Sequence, residues 1–561
     1  MKKYLFITFG ILFVYMFILA LQGFDLCDEG FVLTFYQQIF HAPETVEYQF
    51  LYYLSGLVGG VWNMLFGSGG ILSFRILSII IYLFIIYITY LTVRKYMQPK
   101  HLLFAALFVI LPYFGITVFH HNELTAFLVT VSVYFILKGL NSKNGYINIF
   151  LGAFFIGVNI FSRIPNVTMI GLGLLLFVDY FYEKNNSRLW KNILYSLCGF
   201  ISGISLMIAI MFLCGHLEIF RQSVVINLLD AGTGSGGTHD IFFLLQAYFL
   251  NYKNVYTNLS IFVFTIFFFL YIYNFSTNQW LRLFSITSFI FIYILVFDLN
   301  NEKYYSLILF PLLISCFVDR ANKPFMLLNT ASLLVMFLLP LGSDLGIRNM
   351  GGNCIWLGTF VSIIHVFRFI NYQIETKRNY SYKLFLNAFF VVYLVTGLFY
   401  TSHRAYFDNG SRLEKRYRAD NSKFTVFTSK DKAEAMNELL SVLNKYVEKD
   451  DYLLAFESLP MINYLTETKP YIGNPWVRSY TFQNFKKHLD QAVATIPLPV
   501  VLEQKCQPVG GNWTVPDTAD KSSNPFIYSL DRIEYFEAFL RNNNYKIVWE
   551  NDLFAIYAVN Q

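Results

Sequence analysis

The chain has 561 residues, 56% of them hydrophobic and 19% aromatic, with only 14% charged and a mean hydropathy of +0.47. A soluble protein carries about a quarter charged residues, so these values exclude a soluble enzyme and describe a polytopic membrane protein. The formal net charge of +6 follows from where the short loops lie relative to the membrane and does not point to nucleic acid.

A span needs about 20 apolar residues, and runs of that kind lie near 4–22, 71–93, 101–119, 123–139, 146–162, 166–182, 192–214, 255–275, 281–297, 304–320, 325–341, 354–370 and 383–401. The first is long enough to cross and has no small-x-small cleavage site before Gln22, so it is expected to stay as the first of about thirteen helices. With this count seventeen Lys and Arg fall on the side of the N-terminus and five in the short loops opposite. The positive-inside rule then places the N-terminus in the cytoplasm and everything after residue 401 outside. The stretch "QFLYYLSGLVGGVWNMLFG" (49–67) would reverse that bias if it crossed. It is therefore expected to lie in the outer interface, within a first outer loop spanning 23–70.

The polar residues that could do chemistry collect on the outer face. Asp25, Asp28 and Glu29 follow the first span directly, and later outer loops add His120, His121, Asn122, Glu123, Arg163, Lys303 and Arg348. Acidic residues in a first helical turn are ordinary caps. A carboxylate inside a folded-back apolar loop, with cations on neighbouring loops, also suits a general base facing an anionic lipid-linked substrate. The Gly-rich "DAGTGSGGTHD" (230–240), in the long outer loop 215–254, lacks the Lys of a phosphate-binding loop and reads as a flexible segment that orders over a docked donor. The six Cys show no ligand spacing, and His120, His121 and Glu123 do not share one helix face, so no metal site is expected. Cys27 with Cys506 stays open as a disulfide.

After residue 401 the composition turns charged and soluble. A strand at 424–428, an amphipathic helix from Thr428 or Ser429, a strand at 452–456, helices near 482–492 and 529–542, and strands near 498–502, 545–548 and 553–559 suggest a small, mostly parallel α/β domain. It carries no catalytic motif and reads as a docking or acceptor-recognition module.

Asp28-Glu29 just past the first span, "SFRILS" with Arg75 opening the second, Arg163 before the sixth and "YYSLILFP" (304–311) opening the tenth together resemble the GT-C superfamily of integral membrane glycosyltransferases. The protein-mannosyltransferase and aminoarabinose-transferase branch is the most similar. The resemblance covers the membrane part in motif order and span number, and departs from it at "HAPETVEYQFLYYL", where only Pro43 stands in place of a Pro-Pro-Leu-Tyr type stretch.

It implies an inverting, metal-independent sugar transfer in a bacterial plasma membrane. The donor substrate would be a polyprenyl-phosphate sugar with no further cofactor, and the acceptor a glycan, lipid or protein hydroxyl. The role of acidic catalyst then falls on Asp28 with Glu29 next. The donor phosphate falls to Arg75, Arg163, Lys303 and Arg348 with Tyr304, Tyr305 and His121. A polytopic transporter and a lipid-linked glycan polymerase or ligase remain as alternatives.

Overall fold

The computed structural model describes residues 2–112, 115–233, 241–296, 300–343, 345–375, 381–507, 513–519 and 529–559. The membrane part contains α1 (Lys2–Ala20), α2 (Asp28–Gln38), α3 (Tyr53–Phe66), α4 (Gly70–Val93), α5 (Leu102–Ile110) and α6 (His121–Leu140). It continues through α7 (Tyr146–Asn159), α8 (Leu174–Glu183), α9 (Asn186–Leu213), α10 (Leu217–Thr233), α11 (Ile241–Phe275) and α12 (Gln279–Val296). The last are α13 (Asn301–Val318), α14 (Lys323–Leu338), α15 (Ile347–Cys354), α16 (Trp356–Glu375) and α17 (Ser381–His403).

All thirteen apolar segments carry helix, and among the described residues seven helices are long and apolar enough to cross, or eight if the bent pair α15–α16 counts as one span. Shorter apolar helices lie at Pro99–Ile110, Tyr146–Asn159, Gln279–Ile294 and Lys323–Leu338. One of the shortened spans ends at a proline: α5 stops at Ile110 ahead of Pro112, since proline removes a ladder donor and pushes its predecessor out of helical geometry. The irregular stretch 115–120 runs beside α2, and 160–163 reaches the start of α3, where the Phe161 carbonyl accepts from the Leu54 N–H at 2.8 Å.

The return of apolar sequence after the first span forms a helical hairpin. α2 leads through the 3-10 segment Pro43–Tyr52 into α3, and Gly56, Gly59 and Gly60 let α3 lie directly on Phe35, Tyr36 and Ile39. A Cβ at Gly59 would stand 2.3 Å from the Tyr36 ring. With 14 residues α3 is about 21 Å long, short of the ~30 Å hydrocarbon core, and its tip residues Met64 and Leu65 are exposed. Similar close approaches seat α9 on α7, where a Cβ at Gly199 would meet the Phe150 carbonyl oxygen at 2.1 Å.

The C-terminal part contains α18 (Lys430–Leu443), β1 (Tyr452–Phe456), α19 (Pro460–Thr466), β2 (Lys469–Pro470), α20 (Phe482–Thr495), β3 (Val500–Gln504), α21 (Leu530–Asn542), β4 (Tyr545–Glu550) and β5 (Phe554–Val559). The sheet order is β2-β1-β3-β5-β4. Only β2, β1 and β3 run parallel; β5 is antiparallel to both β3 and β4, so the sheet is mixed. The three residues between β4 and β5 permit a hairpin and no crossover, which forces that reversal. The expected strand at 424–428 makes only isolated bridges, Phe427 to Gln22 and Thr428 to Tyr417. Cys27 and Cys506 are both free thiols.

The C-terminal part packs on the segment that follows α1. One hydrophobic cluster runs from Phe24, Phe31 and Phe35 of the first outer loop into Phe424, Met436, Ile462, Leu502 and Phe554.

Candidate active site at the exit of the first span

The chain leaving α1 is fixed on three sides before α2 begins. Gly23 N–H donates to the Phe427 carbonyl at 2.8 Å and Phe427 N–H to that of Leu21 at 2.8 Å. The Phe24 N–H donates to Asp408, a fully buried carboxylate that also takes Lys415, Lys432 and the Thr428 hydroxyl. The N-terminus of α2 is capped by Asp25, whose two oxygens accept from Cys27 N–H at 3.0 Å and Glu29 N–H at 2.9 Å. The capping role open to Asp28 and Glu29 thus belongs to Asp25. Burial, then the neighbouring charges of Asp28 and Glu29, push the Asp25 carboxyl well above its usual range.

Adjacent in sequence, Asp28 and Glu29 have different environments. Glu29 is 1% exposed and forks onto Arg75, with Arg75 Nη2 to Oε2 at 2.7 Å and Nε to Oε1 at 3.0 Å. It also accepts the Val118 N–H at 2.9 Å, tying the irregular 115–120 stretch to α2. Arg75 gives its remaining donors to the carbonyls of Ala20, Gln22 and Gly23. A guanidinium has five N–H groups, and all five are engaged. Arg75 therefore has no donor left for a phosphate, and the expected substrate role gives way to a structural one. Glu29 is likewise the partner of a buried cation and not an open carboxylate.

Asp28 is half-buried and receives the Tyr406 hydroxyl from the segment that follows α17. Burial, then the Asp28 charge, pushes the Tyr406 phenol well above its ordinary value, so it stays a neutral donor. Beside Asp28 stands His120, the N-cap of α6. Its Nδ1 pairs with Glu123, which is 1% exposed and also accepts from the His120 N–H at 3.2 Å and the Tyr82 hydroxyl at 3.0 Å. Burial opposes charge on His120, but Glu123, Asp28 and Glu29 together outweigh it and raise the imidazolium above its ordinary value. In the sequence this run was weighed for metal, with His121 given to the donor phosphate; the His120-to-Glu123 spacing was the signal for a helix start.

His121 stacks on Tyr52 at 4.0 Å between ring centroids, and Arg163 lies close enough for its charge to act on it. Arg163 is 7% exposed and donates to the Gly342 carbonyl at 3.0 Å. Asp28, His120, His121 and Arg163 thus share one neighbourhood, walled by Tyr52, Phe31 and Trp476.

The other expected donor-binding residues sit elsewhere in function. Tyr304 is 2% exposed with its hydroxyl on the Phe108 carbonyl, and Tyr305 is fully buried against the Tyr252 hydroxyl at 2.7 Å. Both belong to helix packing, which leaves no hydroxyl for a phosphate. Arg348 on α15 is more than half exposed and pairs with Glu302 at 3.0 Å, next to Lys303 on α13. The core of the Gly-rich loop, 234–240, lies outside the described residues. Among the described residues no group of three or more His, Cys, Asp or Glu could hold a metal ion.

No family model and no curated protein matches the chain. Its fold is similar to the Archaeoglobus fulgidus oligosaccharyltransferase in the apo form, at 13% identity and a TM-score of 0.47 over 90% of this chain and 69% of that one. ArnT from Cupriavidus metallidurans in the apo state matches at 12% identity and a TM-score of 0.43, over 98% and 97% of the two chains. The A. fulgidus enzyme AglB, in complex with an inhibitory peptide and a dolichol-phosphate, matches at 10% identity and a TM-score of 0.44, over 88% and 69%. Likeness this remote carries no functional conclusion, which has to come from the residues.

Proposed function

We propose that this chain is a membrane glycosyltransferase that moves a sugar from a polyprenyl-phosphate carrier to an acceptor hydroxyl at the extracytoplasmic face of a bacterial plasma membrane. The observation that supports it is Asp28, a half-buried carboxylate that follows the first span, accepts the Tyr406 hydroxyl and has its charge within reach of His120. A base held at that depth can take the acceptor proton while the apolar hairpin keeps bulk water away. The oxygen then attacks the anomeric carbon from the side opposite the phosphate, which inverts that centre. Arg163 and His121 are the donor-side residues of this reading, and developing charge on the phosphate is met by protein cations without a metal. Lys303 and Arg348 serve as headgroup anchors at the same face.

The test is purified protein in nanodiscs given a polyprenyl-phosphate sugar, or a nucleotide sugar without lipid, each with and without EDTA. Transfer from the lipid donor alone, unchanged by EDTA and with an inverted anomeric centre, is the expected result. Turnover of the nucleotide sugar without lipid would overturn the donor assignment.

A further inference from the structure

The mechanism needs a group that meets the departing phosphate, and the structure engages several of the residues expected there elsewhere. Arg75 has every donor engaged inside the protein, while Tyr304 and Tyr305 are buried in helix contacts. His120 has the opposite arrangement. Its Nδ1 is held by Glu123, which is fixed in turn by the Tyr82 hydroxyl, while about a quarter of the side chain (26%) stays open. Among the described residues Nε2 meets no protein partner.

The groups around it come from several elements. Glu123 lies on its own helix, Asp28 and Glu29 on α2, and His121 and Arg163 alongside. A ring oriented through one nitrogen by a buried carboxylate, with the other nitrogen open next to the proposed base, is the arrangement of a general acid.

We propose that His120 Nε2 is the proton donor to the leaving phosphate of the lipid-linked sugar, with Glu123 as its positioning residue. The inference rests on the transferase reading above. In the step, the bond from the anomeric carbon to the phosphate oxygen breaks and its electron pair stays on that oxygen, which takes the Nε2 proton. The acceptor oxygen forms the new bond to the anomeric carbon, and its proton passes to Asp28. Asp28 then releases one proton to solvent and His120 regains one, so the net change is sugar transfer and a polyprenyl monophosphate. The acceptor proton and the leaving phosphate are thus served by two different groups, and Glu123 beside the ring favours its charged form against the cost of burial.

The probe is a polyprenyl monophosphate, the product, titrated into wild type, His120→Gln, His120→Lys and Glu123→Gln in phosphatidylcholine nanodiscs between pH 5.5 and 10. The phosphate's own titration is common to every variant, so differences between profiles isolate the imidazole. Wild-type affinity is expected to fall about tenfold with rising pH as His120 loses its proton. His120→Gln should bind weakly with no such fall, His120→Lys should bind well with the fall displaced upward, and Glu123→Gln should move it to lower pH. A His120→Gln profile that superimposes on wild type overturns the role while leaving the transferase reading standing. Absence of wild-type binding at any pH overturns the donor reading and this role with it. Should His120→Gln fail to elute as folded protein, the Lys and Glu123 variants decide: unshifted profiles in both overturn the proposal.

Discussion

Neutralising either member of the pair Asp28-Glu29 should damage the protein in opposite ways. Glu29→Gln keeps the size of the side chain but removes the charge that balances Arg75, where both groups are 1% exposed. Arg75 would remain buried with its three carbonyl contacts and an amide in place of a carboxylate. Breaking one partner of a buried pair costs about 3–5 kcal/mol, against a total stability on the order of 5–15 kcal/mol for a typical fold. The expected result is a lower yield and an earlier melting transition in detergent, with a turnover per folded molecule close to wild type. Asp28→Asn keeps an oxygen to accept the Tyr406 hydroxyl and loses only the charge that strengthens that bond, so stability should change by about 1–2 kcal/mol. Transfer should fall by roughly a hundredfold to ten-thousandfold, the usual loss with a general base. Thermal scanning fluorimetry and transfer assays on the same preparations read both quantities. A Glu29→Gln protein as stable as wild type yet inactive, or an Asp28→Asn protein with normal transfer, would refute this division of labour.

Gly30→Ala places a Cβ 2.1 Å from the Met461 backbone nitrogen, so α2 has to shift against α19; a loss of about 1–3 kcal/mol is expected together with reduced transfer, checked on the same two assays. Tyr406→Phe deletes the hydroxyl donated to Asp28, a bond to a charged group worth about 1.5–3 kcal/mol; kcat should drop by an order of magnitude or more with the fold intact, and unchanged kcat would make the contact incidental. For topology, an alkaline phosphatase fused after residue 405 should be active and a β-galactosidase fused there inactive, since the seventeen-to-five cation bias holds only if 49–67 does not cross.

The apolar segments were legible because a span is a local property: some twenty residues suffice to declare it, and all thirteen carry helix. The stretch 49–67 is set apart in the sequence by the cation bias, and its folding back onto α2 at Gly56, Gly59 and Gly60 is what the structure adds. What was not legible is pairing at a distance. Glu29 and Arg75 are 46 positions apart, and a carboxylate in a first helical turn gives the same local signal whether it caps, catalyses or neutralises a buried guanidinium. The tyrosines at 304 and 305 looked interfacial because aromatic belts do, yet the periodicity of α13 turns both inward. The C-terminal sheet was read as mostly parallel from alternation of strands and helices, and the signal against this was the short β4–β5 turn. β2, only two residues long, sits below the length at which any pattern exists.

The C-terminal part shares in holding α2. α2 has 11 residues, too few to be stable alone in water, so something must hold it. The α3 glycines supply one side and the C-terminal part the other. The Met461 N–H donates to the Leu26 carbonyl at 3.1 Å, the Thr34 hydroxyl to that of Pro460 at 3.0 Å, and the Cys27 thiol to that of Ser458 at 3.2 Å. These contacts surround Asp28 in sequence and fix its position relative to α1. A base working on an electrophile carried by a lipid must stand at a set distance from the membrane plane, because a displacement of about an ångström already costs much of the gain from positioning. On the proposed reading of Asp28, the C-terminal segment clamped across α2 supplies that constraint, with Phe24, Phe31 and Phe35 buried in one cluster with its own core.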